Sequence, residues 1–383
     1  MAVCDRLRPF GSTIFSTMTG LANKHRAINL SQGFPDFDGP AQVKAAAIEA
    51  ITEAKNQYAP HPGVPALGEA IAAQFERNTG IGVDPASEIT VTAGCTQAIA
   101  ATCLGLLNPG DEVVVFEPYY DSYRPCCAMT DATTRSVTLH APHFRWNDDE
   151  LRAAFTAKTR AVIVNTPHNP TGRVFDRQEL EQIAALCIEH DCLCFSDEVY
   201  DRLVFDGEHI SIAGLPGMRE RTVTMGSVGK TYSLTGWKIG WAIAPSELTA
   251  GVRAAHQFML YAVATPLQHG AAAALRSGSD YYEEFVATYR RKRDFLCEAL
   301  AEIGFGVVAP QGTYFVLADH TPFGFEDDVA FCTHLVQDIG VAAIPPSAFY
   351  DRPEHGKRLV RFAFCKTDET LEAAVERMRK LRG

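Results

Sequence analysis

Short apolar runs alternate with longer amphipathic stretches along most of the chain, and this alternation constrains its fold more than any other feature. Six runs have the length and the β-branched or apolar content of buried strands. They span residues 88–94, 112–118, 160–167, 192–198, 222–228 and 238–244. Helical patterns such as RQELEQIAALCIEH lie between several of them. Strands that alternate with helices predict an α/β fold with a mostly parallel sheet between helices.

Several of these runs end in polar residues, namely Asn165, Asp197 and Ser227. In an open parallel sheet, ligands bind beyond the carboxyl ends of the strands. We therefore expect these three residues to face one common site.

The pattern changes in the last hundred residues, 279–383. A long amphipathic stretch, YYEEFVATYRRKRDFLCEALAEIG, is followed by GTYFVLA, a helical pattern around 327–340 and LVRFAFC. This order predicts a small α+β domain after a large domain at 41–278. The first residues, 1–40, are interpreted as an irregular segment that packs on the small domain.

Composition argues against several classes of function. The formal net charge of −11 argues against a protein that binds nucleic acid or anionic membranes. No apolar run reaches the roughly 18 residues of a membrane span, and MAVCDRLRPFGSTIF lacks the apolar core of a secretory signal. The 11 cysteines form no CxxC or zinc pattern. They predict reduced thiols in a cytoplasmic protein without a metal site.

The stretch SVGKTYSLTGWKIGW contains two lysines and no acidic residue. Lys230 follows a predicted strand and comes after Ser227 and Gly229, where the backbone can turn tightly. A lysine held away from solvent has a lowered pKa, because burial disfavours the ammonium form. Such a lysine can act as a Schiff-base nucleophile or as a proton shuttle. The plain alternative is a lysine in a surface loop.

Three further segments have a chemical and a structural interpretation each. Asp197 in SDEVYDRLVF ends an apolar strand, where a carboxylate is costly unless a cation or a donor meets it. A protonated pyridine nitrogen would satisfy it, and a helix cap is the alternative.

Asn169 in NTPHNPTG presents an amide, or belongs to a structural turn. Gly94 and Thr96 in TAGCTQAIAA open a helix that could bind phosphate, or form a plain βα turn.

Seven segments occur in the order known from one enzyme family: NQYAP, the TAG turn, EPYYDSY, NTPHNPTG, SDEVY, SVGK and a late arginine strand. Over essentially its whole length the chain resembles the class I aminotransferases of fold type I, which use pyridoxal phosphate. LSQGFPDFDGP, GWKIGW and GVAAIPPSAFY resemble the branch of kynurenine, glutamine and methionine aminotransferases. LVRFAFCKTDETL is similar to the end of enzymes assigned as N-succinyldiaminopimelate aminotransferases.

The resemblance implies roles around the cofactor ring. Lys230 would hold pyridoxal phosphate covalently and, once substrate frees it, carry the substrate's α-proton. Asp197 would pair with the pyridine nitrogen, while Asn169 and Tyr200 would hydrogen-bond the ring oxygen. Tyr120 would stack on the ring face. An ordinary core aromatic is the alternative for Tyr120.

The resemblance also implies a phosphate site, a substrate site and a shared interface. The phosphate would be held by Gly94, Cys95, Thr96, Ser227 and Lys238. Tyr58 of the neighbouring subunit would reach the same phosphate, which implies a homodimer with shared active sites. Arg361 would bind the substrate α-carboxylate bidentately, together with Gly33 and Asn169. Arg358 and a plain salt bridge compete with this interpretation of Arg361.

The expected activity is ping-pong transfer of an amino group from an L-amino acid to a 2-oxo acid. Val263 and Ala264 stand where kynurenine aminotransferases place an aromatic residue and a histidine, and Thr96 stands in place of a tyrosine. We therefore expect an aliphatic, sulfur-containing, glutamine-like or acylated substrate. Alternatives are a cysteine-conjugate C–S β-lyase and an N-succinyldiaminopimelate aminotransferase of lysine biosynthesis. A dehydrogenase is disfavoured because no GxGxxG follows a predicted strand.

Overall fold

A computed structural model describes residues 3–11 and 13–382 of the chain. The described strands are β1 (Ile28–Asn29), β2 (Ile89–Thr92), β3 (Glu112–Glu117), β4 (Thr133–Thr138), β5 (Thr159–Asn165), β6 (Leu193–Asp197), β7 (Thr222–Ser227), β8 (Gly240–Ile243), β9 (Gly306–Val307), β10 (Phe315–Asp319), β11 (Val341–Ala342) and β12 (Leu359–Ala363). The α-helices are α1 (Ile14–His25), α2 (Ala41–Thr52), α3 (Pro65–Thr79), α4 (Pro85–Glu88), α5 (Gly94–Leu106), α6 (Tyr123–Ala128), α7 (Asp148–Ala154), α8 (Arg177–Glu189), α9 (Val228–Thr231), α10 (Ser246–Met259), α11 (Thr265–Leu275), α12 (Ser279–Ile303), α13 (Asp328–His334) and α14 (Asp368–Met378).

Within these described ranges, a seven-stranded sheet in the order β2-β8-β7-β6-β5-β3-β4 forms the centre of the fold. Only β8 runs against its neighbours β2 and β7, and the other pairs in this sheet are parallel. The six predicted strands and the mostly parallel α/β sheet are confirmed. The sequence did not reveal β4, because this edge strand, TTRSVT, contains no apolar run.

Adjacent residues of the central strands pack into different core clusters. On β5, Ile163 belongs to one apolar cluster and Val162 to another, and on β6 the same holds for Phe195 and Cys194. Successive side chains of a strand point to opposite faces, so both faces of the sheet are buried. This explains why these strands appear as continuous apolar runs rather than alternating ones.

The start of α8 shows how the helices around the sheet are specified locally. Asp176 accepts the backbone N–H of Glu179, and the Glu179 side chain accepts the backbone N–H of Asp176 in return, which forms a capping box. Leu180 and Ile183 lie one helical turn apart and are fully buried in the same cluster as Val162. The prediction of a helix at 177–190 is confirmed.

The C-terminal part contains the long helix α12 and a three-stranded sheet in the order β12-β10-β9. The helical pattern predicted around 327–340 is present as α13, followed by the π-helical segment Leu335–Ile339. The expectation that residues 1–40 are irregular was wrong, because α1 is a helix that the Thr13 hydroxyl caps by accepting the N–H of Ser16. The domain boundaries at 40 and 278 stay predictions.

The N-terminal segment also contributes a strand. β1 pairs in parallel with β11, so residues that precede the central sheet join the C-terminal part of the chain. No helix in the described ranges is both long enough and apolar enough to cross a membrane.

Candidate active site

A cavity of about 140 Å³ lies at the carboxyl ends of β5, β6 and β7 and at the start of α5. Several polar side chains converge on it, as they do in pockets that bind a small molecule or cofactor. The structure brings ten predicted site residues into its lining: Gly94, Cys95, Thr96, Tyr120, Asn169, Asp197, Tyr200, Ser227, Lys230 and Lys238. These residues come from five separate stretches of sequence, and the parallel sheet places them together.

Lys230 occupies the first turn after β7 and forms part of the cavity wall. Its Nζ lies 5.6 Å from the ring centre of Tyr200 and 5.7 Å from that of Tyr314. Desolvation lowers the pKa of Lys230 below the usual lysine value, and the positive charges of Lys238 and Arg361 lower it further. A larger fraction of Lys230 is therefore present as the neutral, nucleophilic amine than for an ordinary lysine.

Asp197 ends β6 and is 3% exposed. Its Oδ2 accepts the Tyr123 hydroxyl at 2.8 Å, and its Oδ1 accepts the Val199 N–H at 3.3 Å and the Cys95 thiol at 3.5 Å. Burial raises the pKa of the Asp197 carboxyl, and these three donors together with the charge of Lys230 oppose that rise. The carboxylate is thus held by hydrogen bonds on both oxygens while it still lines the cavity.

Asn165 connects the ends of two neighbouring strands. Its side-chain amide donates to the backbone carbonyl of Asp197 at 2.9 Å, and its Oδ1 accepts the Asn169 N–H at 2.8 Å. Asn165 also lines the cavity. Its position at a strand end marked it in the sequence, but no chemical role was assigned to it there.

The start of α5 has the features of an anion cradle. Gly94 has a φ of +73°, and a Cβ at this position would lie 3.1 Å from the Lys238 Nζ. The lysine ammonium therefore sits directly against the backbone that opens this 13-residue helix, whose first N–H groups have no intrahelical partner. The Thr96 and Tyr120 hydroxyls lie 3.5 Å apart beside it. A phosphate group fits this combination of cation, free N–H groups and close backbone approach.

Arg361 lies behind the cavity on β12 and is 1% exposed. Its Nη2 donates to the Ser31 carbonyl at 2.9 Å and its Nη1 to Asn169 Oδ1 at 3.4 Å. Phe315 covers the guanidinium at 4.3 Å from its ring centre. Burial lowers the pKa of Arg361 to about 10, so the group stays cationic at neutral pH. Its Nε is buried and has no partner among the described residues.

Gly33 lies against Phe315, the residue that covers this arginine, and is not part of the cavity lining. Its carbonyl accepts the Tyr314 hydroxyl at 2.7 Å, and a Cβ at this position would lie 2.6 Å from the edge of the Phe315 ring. Only a glycine fits here without movement of the Phe315 ring, which also covers Arg361.

Besides Arg361 and Gly33, one more predicted site residue, Tyr58, lies outside the cavity lining within a single chain. Tyr58 is 83% exposed, and its ring packs edge-on against Tyr261 at 5.5 Å. Tyr123, whose hydroxyl contacts Asp197, was not among the predicted site residues. Its signal in the sequence was its place in the aromatic segment EPYYDSY, which also contains Tyr120.

Comparison with known proteins agrees with this arrangement. The family model of class I and II aminotransferases matches residues 25–378, and the chain belongs to this family. It is 46% identical over 386 residues to the probable N-succinyldiaminopimelate aminotransferase of Mycobacterium tuberculosis strain H37Rv, with 98% of this chain and 97% of the relative covered. It is 43% identical over 378 residues to the methionine aminotransferase of Escherichia coli K12, with 98% of each covered.

Solved structures show the same relationship. The N-succinyldiaminopimelate aminotransferase of M. tuberculosis superposes with a TM-score of 0.97 at 47% identity, covering 99% of this chain and 100% of that one. An aspartate aminotransferase of Thermus thermophilus superposes with a TM-score of 0.92 at 32% identity, with both chains covered completely. The protein is therefore an aminotransferase, and the predicted family, fold and type of enzyme are confirmed.

Proposed function

We propose that this aminotransferase uses pyridoxal phosphate to move an amino group from an L-amino acid to a 2-oxo acid by a ping-pong mechanism. One observation supports this most strongly. A single cavity is lined by a lysine of lowered pKa, Lys230, by a buried carboxylate, Asp197, and by an anion cradle at Gly94 and Lys238. These are the groups that the aldehyde, the ring nitrogen and the phosphate of this cofactor need.

When bound, pyridoxal phosphate supplies an electron sink for the charge left on the substrate's Cα after proton removal. Lys230 would hold the cofactor covalently through Nζ and, once freed, would take the substrate's α-proton from Cα and deliver it to the cofactor's aldehyde carbon. Asp197 would keep the ring nitrogen protonated by placing a carboxylate beside it. Asn169 and Tyr200 would donate to the ring oxygen, and Tyr120 would pack on the ring face.

The remaining residues bind the two anionic ends of cofactor and substrate. The phosphate would be held by Gly94, Cys95, Thr96, Ser227 and Lys238. Arg361 would bind the α-carboxylate with its guanidinium fork, and Asn169, which it already contacts at 3.4 Å, would help to orient that group. Gly33 would approach the same carboxylate with its backbone.

For the amino donor we propose an acylated or unbranched side chain, with N-succinyl-L,L-diaminopimelate first and methionine second. The names of the two relatives described above support this order. Thr96 in the cavity wall supports it too, because it provides no aromatic surface for kynurenine. Glutamine and kynurenine are the informative comparison substrates.

We also propose a cytoplasmic homodimer with shared active sites. Phe258 is 91% exposed and precedes the exposed apolar residues Met259, Leu260 and Tyr261. Of these, Tyr261 packs against the exposed Tyr58. A contiguous apolar surface of this kind favours association with another chain. All eleven cysteines lie in the described ranges and are free thiols, as suits a reducing compartment.

Titration of the apoenzyme with pyridoxal phosphate, followed by the visible absorbance of the bound cofactor, tests this function. Wild type should bind the cofactor covalently. Lys230→Ala should lose both the absorbance of the covalently bound cofactor and the activity. Lys238→Ala should keep that absorbance but bind the cofactor with ~10- to 100-fold lower affinity. Retention of full activity in Lys230→Ala would refute the proposal. Single amino acids that bleach the band identify the donor, and pyruvate and ammonia from a cysteine conjugate without an acceptor would indicate β-elimination instead.

A further inference from the structure

Two side chains on helices outside the central sheet donate hydrogen bonds to the Asp197 carboxylate. The Tyr123 hydroxyl on α6 donates to Oδ2 at 2.8 Å, and the Cys95 thiol on α5 donates to Oδ1 at 3.5 Å. Tyr123 is 2% exposed and Cys95 is 9% exposed, so neither hydrogen bond competes with bulk water. A donor that meets an ionised acceptor in such a dry environment forms one of the stronger hydrogen bonds in proteins.

We propose that Tyr123 is a positioning residue, which together with the Cys95 thiol keeps Asp197 ionised and directed at the cofactor's ring nitrogen. The inference rests on the proposed use of pyridoxal phosphate. It gives the Cys95 thiol a role separate from the phosphate contact expected at residue 95. Tyr123 is not an ordinary core aromatic in this account, because its hydroxyl has a charged partner.

The geometry of α6 extends this role to the ring face. Tyr120 lines the cavity, and its ring meets that of Tyr123 edge-on at 5.6 Å and 80°. The backbone N–H of Tyr123 donates to the carbonyl of Tyr120 at 3.1 Å. One short segment therefore carries both the residue proposed to stack on the cofactor and the residue that holds its aspartate.

The groups that face Asp197 come from three helices and from the backbone just after β6. They are Cys95 on α5, Tyr123 on α6, the cation Lys230 on α9 and the Val199 N–H. Tyr120 and Tyr200 are also near enough to interact electrostatically. Burial raises the pKa of Tyr123, so its hydroxyl is a permanent donor at neutral pH. Donation to the charged form lowers the pKa of Asp197, which means that removal of the hydroxyl must raise it.

The test is the pH dependence of cofactor affinity, measured by titrating apoenzyme with pyridoxal phosphate and following its absorbance. Affinity should fall at low pH as Asp197 becomes protonated, and we call this part of the affinity–pH curve the acid limb. In Tyr123→Phe the acid limb should move to higher pH by about one unit. At a pH within the limb, the variant should therefore bind the cofactor ~tenfold more weakly than wild type. Cys95→Ala should move it in the same direction by less, because a thiol is a weak donor.

Tyr119→Phe is the matched control. It removes a buried tyrosine hydroxyl that donates to a different aspartate, Asp351, at 3.0 Å, four positions from Tyr123 in the same segment. This variant should leave the acid limb where it is in wild type. A purely structural role for Tyr123 would lower the melting temperature of the apoenzyme without moving the limb, and that result would overturn the inference.

The two proposals fail in different ways. Wild-type protein that does not bind pyridoxal phosphate contradicts the proposed function and the inference with it. If wild-type protein binds pyridoxal phosphate and its acid limb lies at the same pH as that of Tyr123→Phe, only the inference is overturned.

Discussion

Arg361 donates through Nη1 to Asn169 Oδ1 across 3.4 Å, although the two residues lie 192 positions apart in the chain. Asn169 lines the cavity, whereas Arg361 belongs to the β12 strand of the C-terminal sheet. This contact ties the C-terminal part of the chain to the carboxyl ends of the central strands. Among the described residues the buried Nε of Arg361 has no hydrogen-bond partner, so one donor of the guanidinium is unused.

Arg361→Lys should raise KM for the amino donor about 10- to 100-fold and change kcat less. The lysine keeps a positive charge but loses the planar fork that binds a carboxylate bidentately. A loss of binding common to ground state and transition state appears in KM. Steady-state kinetics with the best donor measure it.

Arg358→Lys provides the control for this prediction, since Arg358 is the exposed arginine three positions earlier. Its kinetics should match wild type. If Arg358→Lys raises KM and Arg361→Lys does not, the substrate carboxylate is bound by Arg358 and the proposed role of Arg361 is wrong.

Gly94→Ala should weaken pyridoxal phosphate binding by at least about tenfold and also destabilise the fold by about 1–2 kcal/mol. The added Cβ meets the Lys238 Nζ at 3.1 Å, and the φ of +73° is costly for any residue with a Cβ. Cofactor titration and chemical denaturation measure the two effects separately.

Gly110→Ala separates backbone strain from crowding at the cradle. Gly110 has a φ of +88°, but a Cβ there meets nothing within 4 Å. This variant should lose a similar amount of stability and bind the cofactor normally. Equal loss of cofactor affinity in both variants would contradict a specific role for the Gly94 turn.

Lys230→Met should stabilise the apoenzyme near neutral pH, and the gain should shrink as the pH rises toward the usual pKa of lysine. The folded-state pKa of Lys230 is lowered by burial, so below it the charged amine carries its full burial penalty. Above that pKa the folded protein releases the proton before the unfolded chain does, and wild-type stability rises with pH.

The measurement is the difference in unfolding free energy between wild type and variant across pH, without cofactor. Lys158→Met changes an exposed lysine and should give a small, pH-independent difference. A Lys230→Met difference that grows with pH would show that the pKa of Lys230 is not lowered.

Phe258→Asp should weaken the proposed homodimer and reduce activity per chain at low protein concentration. The side chain is 91% exposed in the single chain. It lies three positions before Tyr261, which packs against the exposed Tyr58 that is proposed to reach the partner's phosphate site. Burial of an unpaired carboxylate in an apolar interface is unfavourable. Light scattering over a dilution series, with activity read in parallel, checks this expectation.

Val329→Asp places the same change on another exposed apolar residue, which is 50% exposed near the start of α13. It should leave the oligomeric state unchanged. A monomer that is fully active at every concentration would rule out shared active sites.

The alternation of apolar runs and helical patterns was sufficient to predict the α/β sheet, because a strand buried on both faces must be apolar throughout. The order of the polar segments was sufficient to predict the family. Ten predicted residues, Lys230 and Asp197 among them, meet in one cavity because parallel strands end at the same edge. These results depend on local pattern and on chain order, which a sequence displays directly.

Tertiary structure decided the contacts that join distant segments. Three such contacts have no periodicity or spacing that would mark them in the sequence. They are the Tyr123 hydroxyl on Asp197, the Asn169 amide beside Arg361 and the Lys238 ammonium against the Gly94 backbone. The edge strand β4 and the helix α1 were missed for a related reason, since packing against neighbours stabilises segments whose own pattern is weak. The sequence determined which groups this enzyme possesses, and the packing of its elements determined which of them hold each other in place.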